Sequence, residues 1–309
     1  MNKDSLIYVA GHDGFIGSAL VRKLKELNYT NILLKAKEEL DLKNQKKVRE
    51  FLKKEEPEYI FLAEEKSGGI LANSTYPADF IYENITIQTN IIDSAYRAKV
   101  KKLLFIGSCC SYPKLCPQPM KEEYLLSGPL EPTNEAYAIA KIAGIKMCQS
   151  YNSQYGTNYI VAIPANLYGL NDSFDLRDSH VIPALLMRFH KAKLLGEDSI
   201  TIWGSGKPRR EFLYVDDFAD ACIFLMINYE ENEIINVGIG EDISIAELAD
   251  LIKEITSFKG KIIYDKTKPD GMPRKLLDVE RINALGWKAK TSVKNGIKNT
   301  YEWYKKLKK

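Results

Sequence analysis

Short apolar runs alternate with amphipathic segments through the first half of the chain. The apolar runs lie at 6–10, 32–34, 59–63, 103–107 and 159–163. Between them, apolar residues recur with helical spacing at 18–27, 46–54, 78–99 and 136–155. Apolar strands that alternate with helices are typical of a parallel sheet covered by helices on both faces. The pattern predicts an α/β fold built on a doubly wound, Rossmann-like parallel sheet.

This rhythm changes after about residue 165. A long loop is expected at 168–178, and the apolar runs beyond it are short and isolated. Ser244 and Glu247 form a capping box, which predicts the start of a helix, and a last helix is expected from about Val293 to the chain end. We therefore expect a dinucleotide-binding domain at 1–165 and a smaller α/β substrate-binding lobe formed mainly by 166–309, with some segments returning to the first domain.

The composition excludes several classes of function. The chain has 309 residues, 45% hydrophobic and 28% charged, as in an ordinary globular protein. A net charge of +3 does not favour nucleic acid as a partner, and the basic segment 305–309 fits a helix C-terminus. No apolar run approaches the roughly 18 residues that cross a membrane, and the N-terminus lacks the features of a signal peptide. We expect a cytoplasmic protein without a membrane partner.

The cysteines and histidines do not form a metal-binding pattern. The five cysteines and three histidines include no CxxC pair and no zinc-ligand spacing. No metal site is therefore expected, and most of the thiols are predicted to be reduced and packed.

A glycine-rich turn links the first strand to the first helix, in the string AGHDGFIGSAL. Gly11 permits the tight turn, Gly14 lets the backbone approach a pyrophosphate, and Gly17 allows close packing of helix and strand. Phosphates then bind at the helix N-terminus. The turn predicts dinucleotide binding by these glycines together with Phe15 and Ile16, and the alternative is a turn that binds no ligand.

The end of the second strand indicates which dinucleotide is bound. Lys35 and Lys37 lie where NAD-specific sites usually carry an acid, and cations there suit the 2′-phosphate of NADP(H). Two observations leave NAD(H) open as an alternative. Both lysines could be ordinary surface residues, and Asp13 in the glycine loop would oppose a nearby phosphate.

A serine, a tyrosine and a lysine form a set suited to carbonyl reduction. Tyr137 and Lys141 are four residues apart on a predicted helix and so share one face, and Ser108 follows the fourth strand. Tyrosine has an ordinary pKa near 10, and we expect the Lys141 ammonium to lower it so that the phenol exchanges protons at neutral pH. Ser108 would donate a hydrogen bond to the developing oxyanion. The alternative is a tyrosine–lysine pair that only stabilises the helix.

Longer motifs make the chain resemble the GDP-L-fucose synthase family of extended short-chain dehydrogenase/reductases over nearly its whole length. They are TYPADFIYEN (75–84), EPTNEAYAIAKIAGIK (131–146), PANLYG (164–169), SHVIPALLMRFH (179–190), WGSGKPRREFLYVDD (203–217) and KPDGMPRKLLD (268–278). The resemblance implies a GDP-4-keto-6-deoxy-mannose substrate, which is epimerised at C3 and C5 and then reduced at C4 with NADPH.

The resemblance also assigns roles to residues that the pattern alone leaves open. It implies that Cys110 and His180 exchange protons with the sugar, whereas from the residues alone they would be a packed thiol and a loop histidine. Further cofactor contacts are implied at Lys141, Pro164, Asn166, Leu167 and His180. Contacts to the GDP-sugar are implied at Asn166, Arg188, Trp203, Arg210 and Asp270. A homodimer that packs through the helices at 78–99 and 136–155 is expected by analogy.

The chain departs from the family pattern around the cofactor and the sugar. Asp13 replaces a basic residue, Glu64 and Glu65 replace small residues, and Cys109 replaces a serine before Cys110. Two other functions are therefore kept. One is a dedicated C4 reductase without epimerase activity that acts on another GDP-4-keto sugar, such as a heptose. The other is a non-catalytic sensor that binds a dinucleotide.

Overall fold

A parallel sheet forms the centre of the computed structural model, which describes residues 1–175, 179–268 and 270–307. The strands of these residues are β1 (Ile7–Ala10), β2 (Ile32–Leu33), β3 (Tyr59–Leu62), β4 (Lys102–Ile106), β5 (Tyr159–Pro164), β6 (Asn166–Tyr168), β7 (Ser199–Trp203), β8 (Arg209–Arg210), β9 (Phe212–Tyr214), β10 (Ile235–Val237), β11 (Ile243–Ser244), β12 (Lys261–Asp265) and β13 (Arg274–Lys275). Parallel pairing joins strands of the central sheet in the order β10-β5-β4-β3-β1-β2.

Helices cover both faces of this sheet. They are α1 (Phe15–Glu26), α2 (Gln45–Glu55), α3 (Ile70–Thr75), α4 (Pro77–Arg97), α5 (Glu135–Tyr155), α6 (Val181–Leu195), α7 (Val215–Asn228), α8 (Ile245–Thr256), α9 (Glu280–Ala284) and α10 (Val293–Leu307). Helices α2, α4 and α5 pack together, and α1 packs against α7. The connection from β1 to β2 through α1 runs along the sheet in the opposite direction to the connections through α2, α4 and α5. Because such connections are right-handed, α1 lies on the opposite face of the sheet from these three helices. The predicted α/β class with a doubly wound sheet is confirmed.

The helix boundaries follow local chemistry. Helix α1 begins three residues before its predicted start, directly after Gly14. Helix α4 begins at Pro77, where a proline suits the first helical position. The predicted capping box of Ser244 and Glu247 is present at the start of α8. Part of the predicted loop at 168–178 and the last two residues of the expected C-terminal helix lie outside the described residues.

The glycine loop after β1 is too tight for larger residues. Gly11 has a φ of +80°, in the region that favours glycine. A Cβ atom on Gly17 would lie 1.8 Å from the Gly11 carbonyl oxygen, so only glycine fits at this point of α1. The loop therefore holds the N-terminus of α1 directly against the end of the sheet.

A second hydrophobic core lies beside the main one. Side chains of α6, α8 and α10 form it, including Phe189, Leu248 and Ile297. Strand β10 and helix α7, which also follow residue 165, belong to the main core. Among the described residues, we found no helix long and apolar enough to cross a bilayer.

Candidate active site

Three of the predicted catalytic residues meet at the carboxyl end of β4. Ser108 follows this strand, and its hydroxyl acts on the Tyr137 phenol in the direction that lowers the pKa of Tyr137. Lys141 lies one turn further along α5, with its Nζ 5.8 Å from the centre of the Tyr137 ring. The buried Lys141 also donates a hydrogen bond to the Ile106 carbonyl oxygen at 2.9 Å. The phenol, the hydroxyl and the ammonium thus occupy one small volume.

Glu65 joins this set from the loop that follows β3, the strand next to β4 in the sheet. The Tyr137 hydroxyl donates to Glu65 Oε2 at 3.0 Å, and the same carboxylate forms an ion pair with Lys141. Burial and the charge of Glu65 raise the pKa of Tyr137 well above its ordinary value. The expectation that Lys141 would lower this pKa is wrong for this structure, because the Lys141 charge is paired with Glu65.

A cleft of about 390 Å³ leads from Glu65 to the glycine loop. Gly11, Lys35 and Lys37 line it, together with Glu64. Gly14 lies at the N-cap of α1 and has no side chain to cap the helix, so the amides of the first turn suit a pyrophosphate. Phe15, Ile16 and Gly17 form that first turn. These features fit a dinucleotide, as the sequence predicts.

Carboxylates also line this cleft and alter its charge. Burial, followed by the charge of Asp13, raises the pKa of Glu64, whereas Lys37 acts in the opposite direction. Lys35 forms an ion pair with Glu39 at 2.9 Å. The two lysines proposed for the 2′-phosphate are therefore already engaged with acidic neighbours.

Cys110 lies on a short 3₁₀ turn, Cys109–Ser111, that begins after Ser108. Its sulfur lies 3.2 Å from Asn134 Nδ2 and 3.5 Å from Lys275 Nζ. A hydrogen bond from the Cys109 thiol and the Lys275 charge lower the pKa of Cys110 well below its ordinary value, although burial acts in the opposite direction. This thiol is therefore set apart chemically from the buried cysteines.

His180 stands at the N-cap of α6, and 49% of its side chain is exposed. Its Nδ1 atom lies 3.7 Å from Asp172 Oδ1. The Asp172 carboxylate raises the pKa of His180 despite desolvation, and the charges of Cys110 and Glu65 contribute in the same direction. Cys110 and Glu65 therefore influence the pKa of both His180 and Tyr137.

Three of the residues proposed for GDP lie in neighbouring segments of the second lobe. Asp270 accepts hydrogen bonds from the Ser205 amide at 2.5 Å and from its hydroxyl at 2.7 Å, next to the exposed Trp203. Arg210 donates to the Arg209 carbonyl oxygen, and burial lowers its pKa. In the β8–β13 pair, Arg210 lies directly opposite Lys275.

The other residues predicted to contact the cofactor or the GDP-sugar lie in β5, β6 and α6, and two of them form hydrogen bonds within the protein. Asn166, in β6, donates to the Glu211 carbonyl oxygen at 2.7 Å. Arg188, in α6, donates to the Thr201 carbonyl oxygen, so hydrogen bonds link it to β7 rather than to the catalytic set. Pro164 and Leu167 lie at the end of β5 and in β6, next to the catalytic end of the sheet.

Several residues of the site escaped the sequence reasoning. Lys275 lies within a recognised motif, but only the β8–β13 pairing brings it to a cysteine 165 residues away. The sequence shows Glu65 as a departure from the family pattern, but it does not show that Glu65 bonds to Tyr137. Asn134 and Asp172, the neighbours of the cysteine and the histidine, carry no signal in the chain that would identify them.

Comparison with known proteins agrees with this geometry. The model of the NAD dependent epimerase/dehydratase family matches residues 7–238. GDP-L-fucose synthase 1 of Arabidopsis thaliana is 55% identical over 305 residues, which cover 99% of this chain and 94% of that protein.

Solved structures are similar along the whole chain. A GDP-6-OMe-4-keto-L-xylo-heptose reductase from Campylobacter jejuni is 42% identical, with a TM-score of 0.95 and 99% of both chains covered. A GDP-mannoheptose C4 reductase from the same organism, with NADP bound, is 45% identical, with a TM-score of 0.91 and the same coverage. This chain belongs to the NAD dependent epimerase/dehydratase family and, within it, to the GDP-L-fucose synthase family.

Proposed function

We propose that this chain is an NADPH-dependent enzyme that epimerises C3 and C5 of a GDP-4-keto-6-deoxy sugar and then reduces its C4 ketone. The observation that carries the proposal is that Cys110 lies on the turn that begins after Ser108 and that its charge acts on the pKa of both Tyr137 and His180. One ketone explains this arrangement, because it acidifies the hydrogens on both adjacent carbons and is itself the group that is reduced. Proton exchange and reduction therefore need one shared site.

The glycine loop and the first turn of α1 would hold the pyrophosphate of the cofactor, with Gly11, Gly14 and Gly17 supplying the close approach. Lys35 and Lys37 line the same cleft and support NADP(H) over NAD(H). When bound, the cofactor supplies the hydride for C4.

Tyr137 supplies the proton in the reduction step. Its raised pKa keeps it a phenol, which can pass a proton to the oxygen of the ketone. Ser108 donates a hydrogen bond to the same oxygen as its negative charge develops. Lys141 is fixed by Glu65 and by the end of β4, so it holds the tyrosine in position.

Cys110 and His180 exchange protons on the carbons beside the ketone. The Cys110 thiolate accepts a proton from carbon and becomes a thiol, and the electron pair of the broken C–H bond passes into the enolate. The His180 imidazolium then returns a proton to that carbon, and the enolate electron pair forms the new C–H bond. Asp172 favours the protonated imidazole. Both groups work near neutral pH, as this exchange requires.

Arg210, Asp270 and Trp203 form the proposed contact surface for GDP. An arginine binds a diphosphate through its forked donors, and a carboxylate accepts from guanine or sugar donors. Arg188 and Asn166 are proposed to complete it. Lys268 lies 5.5 Å from the exposed Trp203 ring and adds positive charge there.

A second function is favoured by one observation, the similarity to heptose C4 reductases across 99% of the chain. In that case the chain would reduce a GDP-4-keto-heptose without exchanging protons at C3 or C5. The non-catalytic sensor is disfavoured, because Ser108, Tyr137 and Lys141 are all present and meet at one point.

The test is to incubate the enzyme with NADPH in deuterated water and to supply GDP-4-keto-6-deoxy-mannose or a GDP-4-keto-heptose. GDP-mannose, which has no ketone, is the control. The proposal predicts NADPH oxidation with deuterium at C3 and C5. Oxidation without deuterium would support the dedicated reductase, and bound cofactor without oxidation would support the sensor.

We also propose a cytoplasmic homodimer. Helices α4 and α5 expose large side chains, with 66% of Tyr82, 41% of Ile139 and 46% of Tyr155 accessible. Burial of these groups against a second copy would remove apolar surface from water. Light scattering of the wild type and of Tyr82→Glu tests this, because the variant should be monomeric at concentrations where the wild type is dimeric.

A further inference from the structure

We propose that Lys275 holds Cys110 as a thiolate in the resting protein, so that Lys275 is a positioning residue for proton transfer. The use of this thiolate on a sugar rests on the proposed function, whereas its existence does not. The chain supplies the charge from β13, far along the sequence from the cysteine.

The contact has the direction that a thiolate needs. A lysine ammonium has donors and no acceptor, so the Cys110 sulfur must accept across the 3.5 Å contact to Lys275 Nζ. Asn134 Nδ2, at 3.2 Å, is a second donor to the same sulfur. Two donors converging on one sulfur favour the anionic form.

Lys275 in turn depends on sulfur for its counter-charge. Burial opposes its charged form, yet the two cysteine sulfurs beside it raise its pKa above the ordinary value. An ammonium that is partly removed from water requires such compensation. The thiolate and the ammonium therefore stabilise each other.

The backbone fixes both partners. Lys275 pairs with Arg210 in the β8–β13 ladder, and its carbonyl oxygen accepts from the Glu211 amide at 3.2 Å. The Cys110 amide donates to the Ser108 hydroxyl at 3.2 Å, which closes the 3₁₀ turn after β4. Neither side chain needs to reorganise before it meets the other.

Cys109, the other cysteine of this cluster, remains a thiol. Its interaction with Cys110 and its burial raise its pKa well above the ordinary value. The base of the cluster is therefore Cys110, whose sulfur is contacted by the Lys275 and Asn134 donors.

Other ionisable groups face this cluster from the surrounding elements. Tyr137 on α5, His180 before α6 and Arg210 on β8 each interact with one of the two sulfurs through their charge. Glu131 lines the same small pocket, and its own nearest cation is Lys114 at 3.1 Å. Lys275 is the cation that directly contacts the Cys110 sulfur.

The interaction with Lys275 increases the fraction of Cys110 that is thiolate, the form that can accept a proton. An ordinary thiol is only a few per cent thiolate at pH 7. A thiolate accepts the proton of a carbon acid directly: the C–H bond breaks, the S–H bond forms, and the electron pair remains in the enolate. With Lys275 in place, the base is already present before the sugar binds.

The experiment measures the rate of Cys110 alkylation by iodoacetamide against pH, using peptide mass spectrometry on the full-length resting protein. Cys110 is partly exposed and Cys109 is buried, so the reagent distinguishes them. We expect Lys275→Met to slow alkylation at pH 7 by about tenfold or more, the effect of one pKa unit, with the rates converging in alkaline buffer. Lys275→Arg should retain most of the rate, and the surface variant Lys294→Met should match the wild type.

Identical pH profiles for the wild type and Lys275→Met would overturn the proposal. If Lys275→Met does not fold, Asn134 provides an independent comparison, because its Nδ2 atom is the second donor to the Cys110 sulfur. Asn134→Leu should alkylate more slowly at pH 7 than the wild type. Equal rates in these two proteins would contradict the stabilisation of a thiolate by the donors around this sulfur. No sugar is present in these measurements, so they are independent of the deuterium experiment that tests the proposed function.

Discussion

The phenol of Tyr137 and the thiol of Cys110 lie at the same end of β4, yet their neighbours carry opposite charges. A carboxylate, Glu65, contacts the phenol at 3.0 Å, and an ammonium, Lys275, contacts the sulfur at 3.5 Å. The first raises a pKa and the second lowers one. One small site can therefore hold one group protonated and a neighbouring group deprotonated, because a negative charge lies beside the first and a positive charge beside the second.

The largest effect is expected from removal of the donor. Tyr137→Phe deletes the hydroxyl that we propose as the proton donor to the ketone oxygen, and general acid catalysis contributes roughly 10²- to 10⁴-fold. We expect NADPH oxidation to fall by an amount in that range while NADPH still binds. Stopped-flow oxidation assays and fluorescence titration measure the two quantities, and equal losses of rate and binding would contradict the assigned role.

Replacement of Cys110, the proposed proton acceptor, should have the next largest effect. It should affect proton exchange at C3 and C5 rather than reduction at C4. Cys110→Ser replaces the thiolate with a hydroxyl that is not ionised at neutral pH, so deuterium exchange at C3 and C5 should fall about 10²-fold. Reduction of a substrate that is already epimerised should change far less. The control is Cys222→Ser, which alters a buried cysteine of the main core. A similar loss in both reactions would show that Cys110 serves the fold or the reduction.

Glu65→Gln tests whether the negative charge beside Tyr137 raises the pKa of the phenol. Because Glu65 raises the pKa of Tyr137, its neutral amide should let the phenol ionise at lower pH. The alkaline limb of the pH profile for reduction should therefore move to lower pH. Glu38→Gln changes an exposed acid and should leave the profile in place. If the alkaline limb did not shift in a folded Glu65→Gln enzyme, the proposed effect of Glu65 on the pKa of Tyr137 would be wrong.

The smallest effect is expected at the histidine. Asp172 raises the pKa of His180, so Asp172→Asn should lower the pH at which the imidazolium is lost. Proton exchange at C3 and C5 should then decline at lower pH than in the wild type, with reduction unaffected. NMR titration of the His180 ring gives the same shift directly, and an unchanged titration would contradict the role given to Asp172.

The sequence predicted the fold and the grouping of Ser108, Tyr137 and Lys141 because both depend on local patterns. The glycine loop, the strand that ends at Ser108 and the spacing of Tyr137 and Lys141 are each contained within short segments. The neighbours that tune the site are not. Glu65 reaches Tyr137 across 72 residues, and Lys275 reaches Cys110 across 165. Such contacts depend on sheet order and on the β8–β13 pairing, which no periodicity in the chain encodes.

The most direct test of the central claim compares Tyr137→Phe and Cys110→Ser in deuterated water with NADPH. The Tyr137 variant receives the 4-keto sugar, and the Cys110 variant receives both that sugar and its epimerised form. We expect Tyr137→Phe to incorporate deuterium at C3 and C5 while oxidising very little NADPH. We expect Cys110→Ser to oxidise NADPH with the epimerised ketone but to incorporate about 10²-fold less deuterium than the wild type. Loss of both reactions together in each folded variant would contradict a division of labour between the phenol and the thiolate.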